Sequence, residues 1–168
     1  MKTANILRAI IFAGAAAFLI FNQDHSVSTG IAVVQFVSTG IAFGSLTLFR
    51  ISASENKFGS LVIPGGIAAV IALVSILASG NSSSLLFLTS LIASFTGATA
   101  IAEIVLSRSS QSTDKMELRI SGAIGILTSL VFWLAPLDGL NAVGFFSAYL
   151  SILAVQRAIW LASPKAKE

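Results

Sequence analysis

The sequence predicts an all-α polytopic membrane protein, with six transmembrane helices arranged as three helical-hairpin repeats. Three observations carry that prediction. Only 10% of the 168 residues are charged while 55% are hydrophobic, against about a quarter charged in an ordinary soluble domain. Mean hydropathy is +0.92. The apolar residues come in continuous runs of about 18–23 residues, inside the ~17–25 that crossing ~30 Å of hydrocarbon requires. The runs do not alternate, which excludes the strands of a membrane barrel.

The spans follow in order. The first, 4–21, ends at the polar Asn22-Gln23-Asp24. Its basic start resembles a signal peptide, but no small-residue cleavage site follows the apolar run, so retention is expected. The second, 27–49, ends at Arg50, and the third, 60–79, has Pro64 close to its start and Gly80 just beyond its end. The fourth, 84–106, follows the turn Asn81-Ser82-Ser83, which fits a glycosylation acceptor and otherwise reads as a polar turn. The fifth, 118–135, ends at Pro136, and the sixth, 140–161, ends before Pro164. Residues 1–168 therefore form one membrane domain, with no soluble domain.

All ten basic residues fall at one set of chain ends and connections. Lys2 and Arg8 open the first span. Arg50 and Lys57 flank the second connection, and Arg108, Lys115 and Arg119 the fourth. Arg157, Lys165 and Lys167 lie at the end. The opposite connections carry only Asp24, His25 and Asp138. The positive-inside rule then places both termini in the cytoplasm, and the cell (inner or plasma) membrane is the expected location. The basic residues are single and not interleaved with exposed aromatics, so nucleic acid is not a partner. Trp133 and Trp160 fall near opposite faces, as an aromatic belt predicts.

A repeat of about 57 residues runs through the chain. One step separates Gly66 from Gly80, Gly122 from Pro136, and Arg8 from Asn22. Thr39-Gly40-Ile41-Ala42 matches Thr96-Gly97-Ala98-Thr99, with Ala154 at the third equivalent place. Each unit is one helical hairpin turning tightly outside.

Lipid tails give helices no hydrophobic reason to associate, so close packing relies on small residues. Gly40-x-x-x-Gly44, Ala93-x-x-x-Gly97, Gly144-x-x-x-Ala148 and the row Gly122, Gly125, Ser129 supply them. Most of these faces pack within the bundle. Gly40–Gly44 is the strongest candidate for a contact with a second copy or another membrane subunit.

Polar groups inside the spans are the candidate sites. Glu103 is the single acidic side chain within these boundaries, with Arg157 and then Arg8 as expected partners at the same depth. An ion pair clamping the inner helix ends is the expected role. Gln35, with Thr96 and Thr99, forms a candidate polar seam between the second and fourth spans, with interhelical bonding or hydroxyls bonding back to their own helix expected rather than a pore. Asp24, His25 and Asp138 are outward-facing groups that a falling external pH reaches. Zero cysteines and one histidine leave no thiolate site and little for metal or acid–base chemistry, so no cofactor is expected. Neither a Gly-x-Ser-x-Gly elbow nor a His-Glu-x-x-His helix is present, which argues against an enzyme.

Gly122-Ala123-Ile124-Gly125-Ile126-Leu127, followed by Ser129 and Pro136, resembles the hairpin repeat of the HdeD-like membrane proteins. Ala100-Ile101-Ala102-Glu103-Ile104 is similar to that family's Gly-x-x-Glu, with Ala100 in place of the glycine. The resemblance centres on residues 97–157. It implies a six-span bacterial membrane protein linked to acid or envelope stress, and no catalytic residues. A non-enzymatic membrane protein or accessory subunit is the expected class. A small-solute channel or secondary transporter is the alternative, although no span carries the midplane glycine–proline break that such sites use.

Overall fold

In the computed structural model, residues 2–51, 61–79, 84–108 and 112–163 are described, and they are all-α. The helices are α1 (Lys2–Phe21), α2 (Val27–Ile51), α3 (Ile63–Ser79), α4 (Leu85–Ser107), α5 (Ser112–Leu134) and α6 (Gly139–Ala162). All but α3 are long and apolar enough to cross a membrane. A wider π-helical turn at Leu61–Val62 leads into α3. Pro64 follows it near the helix start, where the missing N–H has no intrahelical partner to lose. With that turn the segment reaches about 28 Å at 1.5 Å per residue, close to the hydrocarbon thickness. The turn Asn81-Ser82-Ser83, Gly80, and the positions of Glu55, Lys57, Lys165 and Lys167 lie outside the described residues.

Most helix bounds match the expected spans closely, and α5 departs from them. It begins at Ser112 rather than 118. Its first turns, Ser-Thr-Asp-Lys-Met-Glu, are too polar to read as a span, yet Lys, Met and Glu are good helix formers. The extension carries Glu117 into the bundle, so Glu103 is not the sole acidic side chain within a helix of the bundle.

The hairpins of the sequence repeat are not the units that pack most closely. The most extensively packed pairs are α4 with α5, α1 with α6, and α2 with α3. Each joins the second helix of one hairpin to the first of the next, and α6 with α1 closes the ring. The even-numbered helices also touch one another in the middle. The deepest apolar side chains lie there: Val34 and Val37 of α2, Leu88 and Ile92 of α4, Val143 and Leu150 of α6. The odd-numbered helices pack around this triangle and show large apolar side chains outward, such as Ile10, Leu77 and Leu127.

The even helices share a second feature. Each has a side-chain cap at its N-terminus, where backbone N–H groups have no intrahelical acceptor. Thr29 N donates to Ser26 Oγ at 3.3 Å, Phe87 N to Ser84 Oγ at 3.2 Å, and Asn141 N to Asp138 Oδ1 at 2.7 Å.

Candidate functional site

At the end of the bundle where α1 starts and α6 finishes, four charged side chains are buried in one layer: Arg8, Glu103, Glu117 and Arg157. Each sits about 6–9 Å in from its helix end at 1.5 Å per residue. Arg157 is the most enclosed, at 1% exposure.

Arg157 is the hub. Its Nη2 donates to Glu103 Oε1 at 2.6 Å, and its Nη1 to Glu117 Oε1 at 3.2 Å. Nη1 also donates to Asn5 Oδ1 at 3.1 Å. The carboxylates take further donors. Ser121 Oγ donates to Glu103 Oε2, and Asn5 Nδ2 to Glu117 Oε2 at 3.4 Å. Gln156 Nε2 donates to the Glu117 carbonyl at 3.0 Å. The Phe12 ring lies against the guanidinium, 5.6 Å from its centroid, a geometry that adds cation–π attraction.

Arg8 is drawn electrostatically by Glu103 and Glu117 and repelled by Arg157. With Thr99, Glu103, Tyr149 and Arg157 it lines a cavity of about 20 Å³, room for about one water molecule. Two arginines and two glutamates sum to zero formal charge. Buried charges are tolerable when paired and hydrogen-bonded in this way.

Local sequence explains the assembly. Asn5 and Arg8 share a face of α1 by i, i+3 spacing, and Glu117 and Ser121 share one of α5 by i, i+4. Glycines bring α5 close enough to α4 for Ser121 to reach Glu103. A Cβ on Gly125 would stand 2.8 Å from Ala100 Cβ and 3.1 Å from the Thr96 carbonyl, and one on Gly122 would stand 3.1 Å from the Ala100 carbonyl. One on Gly97 would stand 2.8 Å from Ser129 Oγ, which donates to the Ala93 carbonyl at 2.9 Å. Gly97, Gly122 and Gly125 thus build the α4–α5 seam.

The structure brings together Glu103 and Arg157 and sets Arg8 in the same layer. Glu117, Asn5 and Ser121 are the members that sequence reasoning missed. The i, i+4 pair Glu117/Ser121 is the available signal, hidden because the continuous apolar run of the fifth span starts only at 118.

Two other candidates take a definite form. The Gln35, Thr96 and Thr99 side chains do not line one common seam. Gln35 Nε2 donates to the Ser75 carbonyl of α3 at 3.1 Å. Thr96 and Thr99 donate to carbonyls of their own helix, Ala93 and Phe95, as hydroxyls in helices readily do. The Gly40–Gly44 face is not open to a partner either. It packs on α1, where a Cβ at Gly40 would lie 3.2 Å from Ile11 Cδ1 and one at Gly44 would overlap Leu7.

The outward group divides between helix starts. Asp24 Oδ2 accepts from Thr29 Oγ1 at 2.6 Å and from Ser26 Oγ at 3.0 Å, while Oδ1 accepts from Ser26 N at 3.0 Å. These bonds, the one from Thr29 foremost, hold the Asp24 carboxyl below its ordinary range. Asp138 caps α6 and also accepts from Asn141 Nδ2 at 3.0 Å. His25 Nδ1 lies 3.4 Å from the Gln23 carbonyl. Trp133 is exposed on α5. Among the described residues no three His, Cys, Asp or Glu side chains gather as metal donors.

Fold and site together define a polytopic membrane protein whose helices are joined at one end by a compensated charge cluster. In comparisons with known proteins, the chain matches no family model, no curated protein and no solved structure.

Proposed function

We propose that this chain is a non-enzymatic integral membrane protein, in which the Arg157 cluster clamps the helices and function comes from association within the bilayer rather than from turnover. One observation carries the reading. Among the described residues the buried charges form a single neutral layer near one end, and the centre beyond it is filled by Val34, Ile92, Phe95, Phe146 and Leu150. A proton or ion path calls for polar groups reaching the midplane, and the hydroxyls of Ser38, Thr96 and Thr99 bond to their own helix backbone instead.

The resemblance of residues 97–157 to HdeD-like proteins supports a role in acid or envelope stress, or as an accessory subunit. The charge asymmetry supports a cell-membrane location with cytoplasmic termini. The transporter reading has in its favour the small cavity beside Arg8 and Glu103, which takes about one water. Proteoliposomes decide between the two. No selective proton or solute flux is expected from the purified protein. A flux abolished by Glu103→Gln in a folded variant overturns the clamp in favour of transport.

A further inference from the structure

Between α2 and α3 lies a groove of about 680 Å³, lined almost wholly by apolar atoms. Its floor is the seam where the helices touch: a Cβ on Gly65 would come 2.6 Å from Ser45 Cβ. Beside that seam the small Ala42, Gly66 and Ala69 leave space, and Phe43, Leu46 and Leu61 form walls. A Cβ added at Gly66 would meet nothing within 4 Å. In the hydrocarbon region such a space is filled by lipid or by protein, because water there lacks polar partners.

Two features choose lipid. The first is length. The lining residues span 42–49 on α2 and 61–69 on the turn before α3 and its first part, about 12 Å of helix at 1.5 Å per residue. That is less than half of the ~30 Å core and matches one leaflet. Beyond it α3 raises the exposed Leu73 and Leu77, so a partner helix crossing the membrane would find no continuous groove.

The second is charge. Arg50 is exposed in the last turn of α2 and follows Leu46 by i, i+4 and Phe43 by i, i+7. It therefore continues the row of the groove wall out to its mouth. A cation at the polar end of an interhelical apolar pocket is the arrangement that takes anionic headgroups.

We propose that this groove binds one acyl chain of an anionic phospholipid, whose phosphate is held by Arg50. The site is separate from the Arg157 cluster and stands whether or not the clamp reading holds.

Native mass spectrometry tests it on the full chain equilibrated in detergent with phosphatidylglycerol or phosphatidylcholine of the same acyl composition. Wild type is expected to retain one phosphatidylglycerol in preference to phosphatidylcholine. Gly66→Trp, which fills the groove, loses that lipid, and so does Ala69→Phe, which serves if the first variant fails to fold. Arg50→Gln keeps a bound chain but loses the preference for the anionic lipid. Equal retention of both lipids by wild type, or unchanged retention in folded Gly66→Trp and Ala69→Phe, overturns the proposal. A dimer that disappears in those variants overturns it as well, since a second copy would then occupy the groove.

Discussion

Arg157 of α6 and Glu103 of α4, 54 positions apart in sequence, meet at 2.6 Å within the buried charge layer. A buried ion with its partner removed is far costlier than a pair that was never made. Arg157→Ala, which removes the guanidinium that both glutamates share, is expected to cost about 3–5 kcal/mol. Glu103→Ala should cost less, because Arg157 keeps Glu117 and Asn5. The double variant should lose clearly less than the sum of the two, since residues in one network couple. Thermal or denaturant unfolding in a mild detergent measures the cycle, and strict additivity would remove the pair from the account.

Glu117 supplies an independent check, because its role follows from the observed start of α5. Glu117→Ala removes an acceptor for Arg157 Nη1 and a partner for Asn5 Nδ2. It is expected to destabilise the bundle and to be non-additive with Asn5→Ala. An exposed control on the same helix, Met116→Ala, should change stability by no more than about 0.5 kcal/mol.

The glycines divide sharply by what surrounds them. Gly125→Leu drives a side chain against Ala100 and the Thr96 carbonyl, which cannot yield as a flexible side chain does. Overpacking of this kind costs typically ~1–3 kcal/mol. Gly14 and Gly144 have nothing within 4 Å of an added Cβ, so Gly14→Leu and Gly144→Leu should leave the unfolding temperature nearly unchanged. If Gly144→Leu proved as damaging as Gly125→Leu, the α4–α5 seam would not be where α5 is held.

Asp24 gives a pH prediction whose sign is fixed by its hydrogen bonds. Its carboxyl titrates below the ordinary carboxylate value, about 3.9. The stabilisation is therefore complete above that ordinary value and is lost as pH falls through the lower folded value. Asp24→Ala should lower the unfolding midpoint by a constant amount between about pH 5 and 7. The gap to wild type should close only below about pH 4. A gap that closed already between pH 7 and 5 would make Asp24 a sensor of mild acid, which its present bonding opposes.

Topology is tested by single cysteines in a chain that has none. With basic residues inside, Gln23→Cys in the exposed outer turn should react with an impermeant thiol reagent on intact cells. Ser110→Cys should react only after permeabilisation. The reverse pattern inverts the orientation.

Much of the fold was legible in sequence because membrane crossing has a length requirement that apolar runs either meet or miss. The bounds of α2 and α6 lie close to the expected ones for that reason. Hydropathy reads lipid contact, however, and helix formation follows different rules. That is why the polar opening of α5, and Glu117 with it, escaped. The pairing of helices was also hidden: Gly40 and Gly44 advertise a close contact without saying whose, and the structure gives it to Leu7 and Ile11 of α1. Gln35 and Thr99 failed to form a seam because each had a carbonyl nearer at hand.

The bond from Arg157 to Asn5 spans 152 positions, and this sets an order on biogenesis. Ribosomes add about 5–20 residues per second, so the first helix enters the bilayer roughly 8–30 s before the last is complete. Throughout that interval the amide of Asn5 lacks its α6 partner, and until α4 and α5 are made Arg8 also lacks their countercharges. A chain stopped after α5 leaves both glutamates without Arg157. The waiting first helix is thus a natural client for whatever insertase or quality-control protease samples incompletely paired polar groups in the membrane, and release from that surveillance would coincide with the arrival of α6.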